Sequence, residues 1–295
     1  MCLIAFALGM TSRWPLVIAA NRDEYWARPT APLALWKTGA GHSVLSGRDL
    51  RAGGTWMGTS PKGRVAFLTN VRAPETLAAS QLTSRGSLVT RWLTGFDETP
   101  EHLVAALQDE LRSTGLAYAG FNLVVGDVVR GQWHWISNRP GGSLPQISQA
   151  APADIVVWSI QELPPGLYGL SNASLNTPWP KTTRLKAVLS EALAHAESSD
   201  VLKEKLWQAL ADKTRCAPGA LPSTGVLPAT ELALSSVCVD FPEQAYGTRS
   251  SAVWLATAGS DSSDPWQFAA EERTFAGQAP LCMAAHAMQW GSSAA

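Results

Sequence analysis

Two apolar runs open the chain, residues 3–10 and 14–20, separated by Thr11-Ser12-Arg13, and they predict a β-hairpin that begins at the second residue. Cys2 therefore stands at the edge of a core strand. Further strands are expected at 64–70, 119–126, 131–137, 155–159, 166–171 and 250–257, with Gly126-Asp127 and Gly131 punctuating a second hairpin. Leu185, Val188, Leu189, Ala192, Leu193 and Ala196 recur at helical spacing behind Thr182, and Val201, Leu202, Leu206, Ala209 and Leu210 do so behind Ser199. Thr99-Pro100 opens a third amphipathic helix with Leu103, Ala106, Leu107 and Leu111 on one face, and a fourth covers 85–94. Strands, helices, strands, helices and strands in that order favour an α+β fold of antiparallel sheets covered by helices over a βαβ array. Arg28 to Lys37, Pro140 to Pro152 and Pro218 to Pro228 read as loops, and 259–264 and the tail 291–295 as flexible segments. No linker divides the chain, so one domain over 1–295 is expected.

With 23 Lys+Arg against 24 Asp+Glu the net charge is −1, which gives the chain no electrostatic reason to coat nucleic acid. Four cysteines, at 2, 216, 238 and 282, are too scattered for a disulfide scaffold, and no apolar run is long enough to span a bilayer. The start lacks the basic region of a signal peptide, so a cytoplasmic protein is expected. Gly39-Ala-Gly41 lacks the third glycine and flanking elements of a dinucleotide loop, and Gly169-Leu-Ser171 lacks the second glycine of a nucleophile elbow. Cys282 and His286 have the spacing of two metal ligands on a helix, but no second pair accompanies them, so no metal site is expected.

What remains is Cys2. If Met1 is removed, the chain begins with a residue that carries a thiol and a free α-amine, nucleophile and base together. An α-amine of pKa about 7.7–8.0 accepts a thiol proton near working pH. Such a group needs a cation or donor to favour thiolate, a carboxylate to orient the amine, and donors for an oxyanion. The hairpin returns Asn21-Arg22-Asp23-Glu24 to the neighbourhood of Cys2. Asn70, followed by Val71-Arg72, Asn172 and Arg249 also stand at strand ends, which suggests a polar site at one rim of a sheet sandwich.

Met-Cys-Leu-Ile-Ala-Phe, Asn21-Arg-Asp-Glu24, Gly47-Arg-Asp49, Gly53-Gly-Thr-Trp56, Gly63 to Asn70, Ser84-Arg-Gly86, Gly120-Phe-Asn-Leu123, Ser171-Asn172, Leu221-Pro-Ser-Thr-Gly225 and Tyr246-Gly-Thr-Arg-Ser250 together resemble the NRDE family, also called the transport and Golgi organisation protein two family. Ten motifs occur in order over residues 2–255. The resemblance implies a four-layer αββα sandwich related to N-terminal nucleophile hydrolases. By similarity Cys2 would be the nucleophile, Arg22 would support its thiolate, Asp23 would hold the α-amine, Asn70 or Asn172 would face the oxyanion, and Arg249 would lie beside the nucleophile. The related amidases separate their Arg and Asp by two residues, whereas Arg22 and Asp23 are adjacent, so alternation along a strand would bring one of them to the face of Cys2.

Two readings stand side by side. One is a cysteine hydrolase acting through Cys2 on an amide or thioester of a hydrophobic acyl group, with no cofactor. The other, implied by eukaryotic relatives linked to haem export and lipid handling, is a non-catalytic carrier of haem or an acyl lipid in the same cleft, with Cys2 or His42 as the candidate axial ligand. Thirteen tryptophans colour both. Trp133, Trp135 and Trp254 alternate along strands and read as core, whereas Trp26, Trp36, Trp56 and Trp179 fall in or beside the candidate loops and are expected, with Asn21, Glu24 and Arg72, to line an apolar ligand cleft.

Overall fold

In a computed structural model, described over residues 2–72, 78–95, 98–139, 158–258, 266–276 and 279–290, the opening hairpin is β1 (Cys2–Leu8) and β2 (Leu16–Tyr25). Its register runs from Cys2 opposite Arg22 to Leu8 opposite Leu16. The strands β3 (Thr30–Lys37), β4 (Ser43–Asp49), β5 (Met57–Thr59) and β6 (Arg64–Asn70) follow, then helices α1 (Gly86–Thr94) and α2 (Pro100–Thr114). Next come β7 (Phe121–Asp127), β8 (Gln132–Ser137), β9 (Ser159–Glu162) and β10 (Gly166–Leu170), and then α3 (Pro180–His195), α4 (Ser199–Leu210) and α5 (Pro228–Ala233). The chain closes with β11 (Asp240–Phe241), β12 (Tyr246–Thr257), β13 (Trp266–Ala276) and β14 (Ala279–Trp290).

Among the described residues these strands form two antiparallel sheets, β10-β1-β2-β12-β13-β14 with β11 on β12, and β3 through β9 in chain order. Three apolar layers hold them. Cys2, Ile4, Phe6 and Trp254 of the first sheet meet Phe67, Trp133 and Trp135 of the second, with Phe6 edge-on to Phe67 at 4.9 Å. The opposite face of β1 and β2, with Leu3, Ala5, Val17 and Ala19, is covered by Leu185 and Leu189 of α3 and Leu202 and Leu206 of α4. Leu88 and Trp92 of α1 and Leu103 and Leu107 of α2 cover the outer face of the second sheet. The order of layers is αββα. Both faces of β1 are buried, which is why its sequence shows no polar alternation.

The helices start where their caps stand. Thr99 accepts the His102 N–H ahead of Pro100, Gly115 ends α2 at φ 67°, and Ser198 accepts the Val201 N–H at the head of α4. The second sheet also owes its shape to a pair of glycines. A Cβ on Gly54 would lie 2.6 Å from the carbonyl carbon of Gly86, so only bare backbone lets the start of α1 approach the β4–β5 connection.

Three expectations are corrected. The segment Arg28 to Lys37 contains β3, an edge strand whose exposed residues and Pro32, at a register shift between Ala31 and Ala34, hide the strand pattern. β13 and β14 extend the first sheet beyond the last expected strand; their alanines and charges give little β signal. Cys282 and His286 lie on β14 rather than on a helix, Cys282 exposed and the His286 ring 3.3 Å from the Leu33 carbonyl oxygen. The strand expected at 155–159 is described only from Trp158 onward, where β9 begins at Ser159. The segments 140–152, 259–264 and 291–295 lie outside the described residues. No described helix is long and apolar enough to cross a membrane.

Candidate active site

Cys2 is the first residue of β1, and its side chain points into the layer between the sheets. Opposite residues in an antiparallel pair share a face, so the Cys2–Arg22 register puts the guanidinium of Arg22 on the thiol's side. Arg22 lies over the indole of Trp56, 4.2 Å from the ring centroid, and is flanked by Glu24 at 3.5 Å and Asp49 at 3.8 Å. Asp49 in turn binds Arg28 at 2.8 Å and accepts the N–H groups of Arg51 and Ala52. Its carboxyl sits below the usual range, because these donors outweigh the effect of burial.

The neighbours of Arg22 on β2 face the other way. Asn21 donates to the carbonyls of Leu210 and Val237 at 2.9 Å and accepts the Ser251 hydroxyl at 2.6 Å, which ties β2 to α4 and places its side chain on the helix side. Asp23 is 1% exposed and accepts the Thr248 hydroxyl at 2.7 Å. Burial pushes its carboxyl up, and Lys181, buried at the start of α3, opposes the shift; burial likewise pulls the Lys181 ammonium down while Asp23 holds it up. Burial also raises the Cys2 thiol, with the charge of the amino terminus and then Arg22 pulling against it. A thiol raised in this way calls for a base to reach the nucleophilic thiolate.

Cys2, Arg22, Asp23, Glu24, Trp56 and Asn70 line one cavity of about 740 Å³. Its wall mixes charge with apolar surface: Arg28, Arg51 and Arg85 join Arg22 beside Glu24 and Asp49, and Trp56, Leu68 and Leu82 lie among them. Asn172 stands behind the wall, where its Nδ2 donates to the Asn70 carbonyl at 2.8 Å and its own carbonyl accepts the Arg72 N–H at 2.7 Å. The two asparagines thus clamp the end of β6 to the end of β10, and Asn70 is the one that faces the cavity. Arg72 pairs with Glu231 at 2.7 Å and lies 5.2 Å from the Trp179 ring centroid. Arg249 donates to the carbonyls of Tyr25 and Trp26 and is not part of the cavity wall.

Of the four indoles expected to line the cleft, Trp56 reaches the Cys2 cavity and the other three stand elsewhere. Trp36 binds Ser46 on the outer side of the second sheet, Trp179 is buried under Arg72, and Trp26 lines a separate pocket. His42 is exposed between β3 and β4. Sequence reasoning passed over Lys181, Thr248 and Asp49. Lys181 carried a signal: a cation directly after the Pro180 that opens α3 opposes the helix dipole and needs a buried carboxylate to justify it.

An αββα sandwich of two antiparallel sheets, with a cysteine at the first strand's start in a charged cavity, defines the class to which the chain is to be compared. Residues 1–263 match the model of the Transport and Golgi organisation 2 family, and the chain belongs to that family. The human Transport and Golgi organization protein 2 homolog is 32% identical over 271 residues, covering 88% of this chain and 89% of that protein. The Drosophila melanogaster protein of that name is 29% identical over 289 residues, covering 93% of each. Among solved structures, a mutant conjugated bile acid hydrolase from Clostridium perfringens covers 98% of this chain and 92% of its own at 8% identity and a TM-score of 0.43. An N-acylethanolamine-hydrolyzing acid amidase ortholog from Caenorhabditis elegans covers 70% and 85% at 10% identity and a TM-score of 0.39.

Proposed function

We propose that this chain is a cysteine hydrolase of the N-terminal nucleophile type, acting on an acyl amide or acyl thioester once Met1 has been removed. The observation that carries the reading is the position of Cys2 on the wall of a cavity of about 740 Å³, directly across the ladder from Arg22. A strand's backbone nitrogen lies in the plane of its sheet, whereas successive side chains leave on opposite faces. A free α-amine at Cys2 is therefore reached from both sides: by its own sulfur on the Arg22 face and by Asp23 on the other. That geometry lets adjacent residues serve two different roles.

In the proposed reaction the α-amine takes the thiol proton and Sγ attacks the acyl carbon. The tetrahedral oxyanion forms on the cavity side, with Asn70 of the cavity wall as its proposed donor. Collapse breaks the bond to the leaving amine or thiol, which receives the proton from the α-ammonium and departs. Water, deprotonated by the same amine, then attacks the acyl-thioester and restores the thiol with release of a carboxylic acid. Asp23 orients and stabilises the transient ammonium. The charged wall favours a substrate whose leaving group is polar.

Carriage of haem or an acyl lipid in this cleft is the competing proposal. It finds less support in the lining, where the face of one indole, Trp56, is already covered by Arg22. The test is to expose wild type and Cys2→Ala to a panel of acyl amides, acyl thioesters and haem, with intact-mass measurement of both proteins. Hydrolysis by des-Met1 wild type, an acyl adduct on Cys2 and no turnover by Cys2→Ala are expected. Turnover that survives in Cys2→Ala, or that belongs to protein retaining Met1, refutes the assignment.

A further inference from the structure

The first sheet is wider than the helix layer that covers it. α3 and α4 pack on β10, β1, β2 and β12, and α4 reaches β13 through Lys203 and Trp207, which bind Glu271, and through the Trp207 ring under Arg273. Beyond them the helix-side face of β13 and β14 is left as the floor of a second pocket of about 310 Å³, which shares no lining residue with the Cys2 cavity. Trp26, Trp207, Phe275 and Met283 supply its apolar surface. Two cations reach it. Lys213 is paired with Asp240 at 3.3 Å. Arg273 stands over Trp207, 4.1 Å from the ring centroid, and among the described residues no hydrogen bond or ion pair engages its guanidinium, whose Nε is buried.

A buried, unsatisfied guanidinium donor is costly, on the order of 1–3 kcal/mol or more for a charged group. An arginine kept in that state beside three apolar walls is a half-made site, complementary to an anion that carries an apolar body. We infer that this pocket binds a small amphipathic monoanion, a carboxylate with an alkyl or aryl body, its charge on Arg273 and its body against Trp26, Trp207 and Phe275. At the packing density of protein interiors the pocket holds roughly a dozen non-hydrogen atoms. Lys213 pairs with Asp240, and Glu271 with Lys203 and the Trp207 indole, so Arg273 is the cation whose open donors a carboxylate would engage, which favours an anion over a cation or a neutral lipid. The site also has a mechanical link to the cavity on the far side. Thr248 lines this pocket, takes the Val239 N–H at 2.8 Å and gives its own proton to Asp23.

The probe is decanoate below its micellar concentration, titrated calorimetrically into the full chain, with decan-1-ol as the uncharged control. Saturable one-to-one binding of decanoate, at least about tenfold tighter than the alcohol, is expected from one charge-assisted contact. Arg273→Gln removes that preference and leaves alcohol binding unchanged. Met283→Glu, on a side chain 69% exposed and so harmless to folding, weakens decanoate by a similar factor through repulsion at the rim. Arg51→Glu in the Cys2 cavity changes neither. Equal affinity for acid and alcohol, binding lost in Arg51→Glu instead of Arg273→Gln, attachment only to phosphatidylglycerol vesicles, or a dimer that Met283→Glu dissociates would each overturn the proposal.

Discussion

Replacing Glu272 with glutamine should make the protein less sensitive to alkaline pH, and the size of the effect follows from where the carboxyl sits. Glu272 lies on β13 opposite Ala252, in the layer between the sheets, where its oxygen accepts the Leu33 N–H of β3 at 2.7 Å. Burial raises its pKa to about 7, against hydrogen bonds from Leu33 and Ser250 and the charge of Arg22. In the unfolded chain the same group titrates near 4.5. Between those values the folded protein keeps a proton that the unfolded chain has released, so stability falls as pH rises through that window and is level on either side. Roughly 2.5 units at 1.36 kcal/mol each amount to about 3 kcal/mol. Glutamine keeps an oxygen for Leu33 and cannot ionise. The stability of Glu272→Gln relative to wild type should therefore rise by about 3 kcal/mol between about pH 4 and pH 8, most steeply near the middle. Urea unfolding followed by tryptophan fluorescence at five or so pH values measures this difference and cancels the other titrating groups. A flat difference, or a variant that loses ground as pH rises, would mean that Glu272 is ionised and stabilised by Arg22, and the reasoning would fail.

Gly54→Ala should cost about 1–3 kcal/mol by driving the β4–β5 connection away from Gly86, and thermal unfolding would show a lowered midpoint. Thr248→Val strands the Val239 N–H and removes a donor from Asp23, for a loss of about 1–3 kcal/mol in denaturant unfolding; an unchanged midpoint would contradict the buried geometry. Lys181→Met leaves the Asp23 carboxylate without its buried counter-charge and should cost about 3–5 kcal/mol, much of which the double variant with Asp23→Asn recovers; purely additive losses would show that the two do not interact.

The hairpin was legible because apolar runs with a short polar break leave few alternatives; β6 was legible in full from Arg64 to Asn70, and α4 from its apolar spacing behind Ser199, although the cap is Ser198, one residue earlier. Trp133, Trp135 and Trp254 declared themselves as core by alternation. β3 was not legible, since an edge strand with a proline at its bulge satisfies solvent as much as the sheet. The site was readable as a set of residues and unreadable as a surface. Cys2, Arg22, Asp23 and Asn70 could be grouped by strand ends, but whether an indole lines a cleft or plugs a layer depends on which sheet face it leaves. Trp36 and Trp179 looked like Trp56 in sequence and ended up on other surfaces. Lys181 was hidden by a loop-like context, Pro-Trp-Pro, that turned out to be a helix start.

The ladder between β2 and β12 slips by one residue between Thr248 and Ser250, with Thr248 opposite Asp23 and Ser250 opposite Arg22. In an unbroken strand those two hydroxyls would leave on the same face; the extra residue, Arg249, sends Thr248 to Asp23 and Ser250 to Glu272. Chain length at this point is therefore as constrained as residue identity. Deleting Arg249 would preserve every chemical group named at Cys2 yet turn one of the two hydroxyls to the wrong side of the sheet. A residue gained or lost at this point would re-aim side chains toward both layers at once.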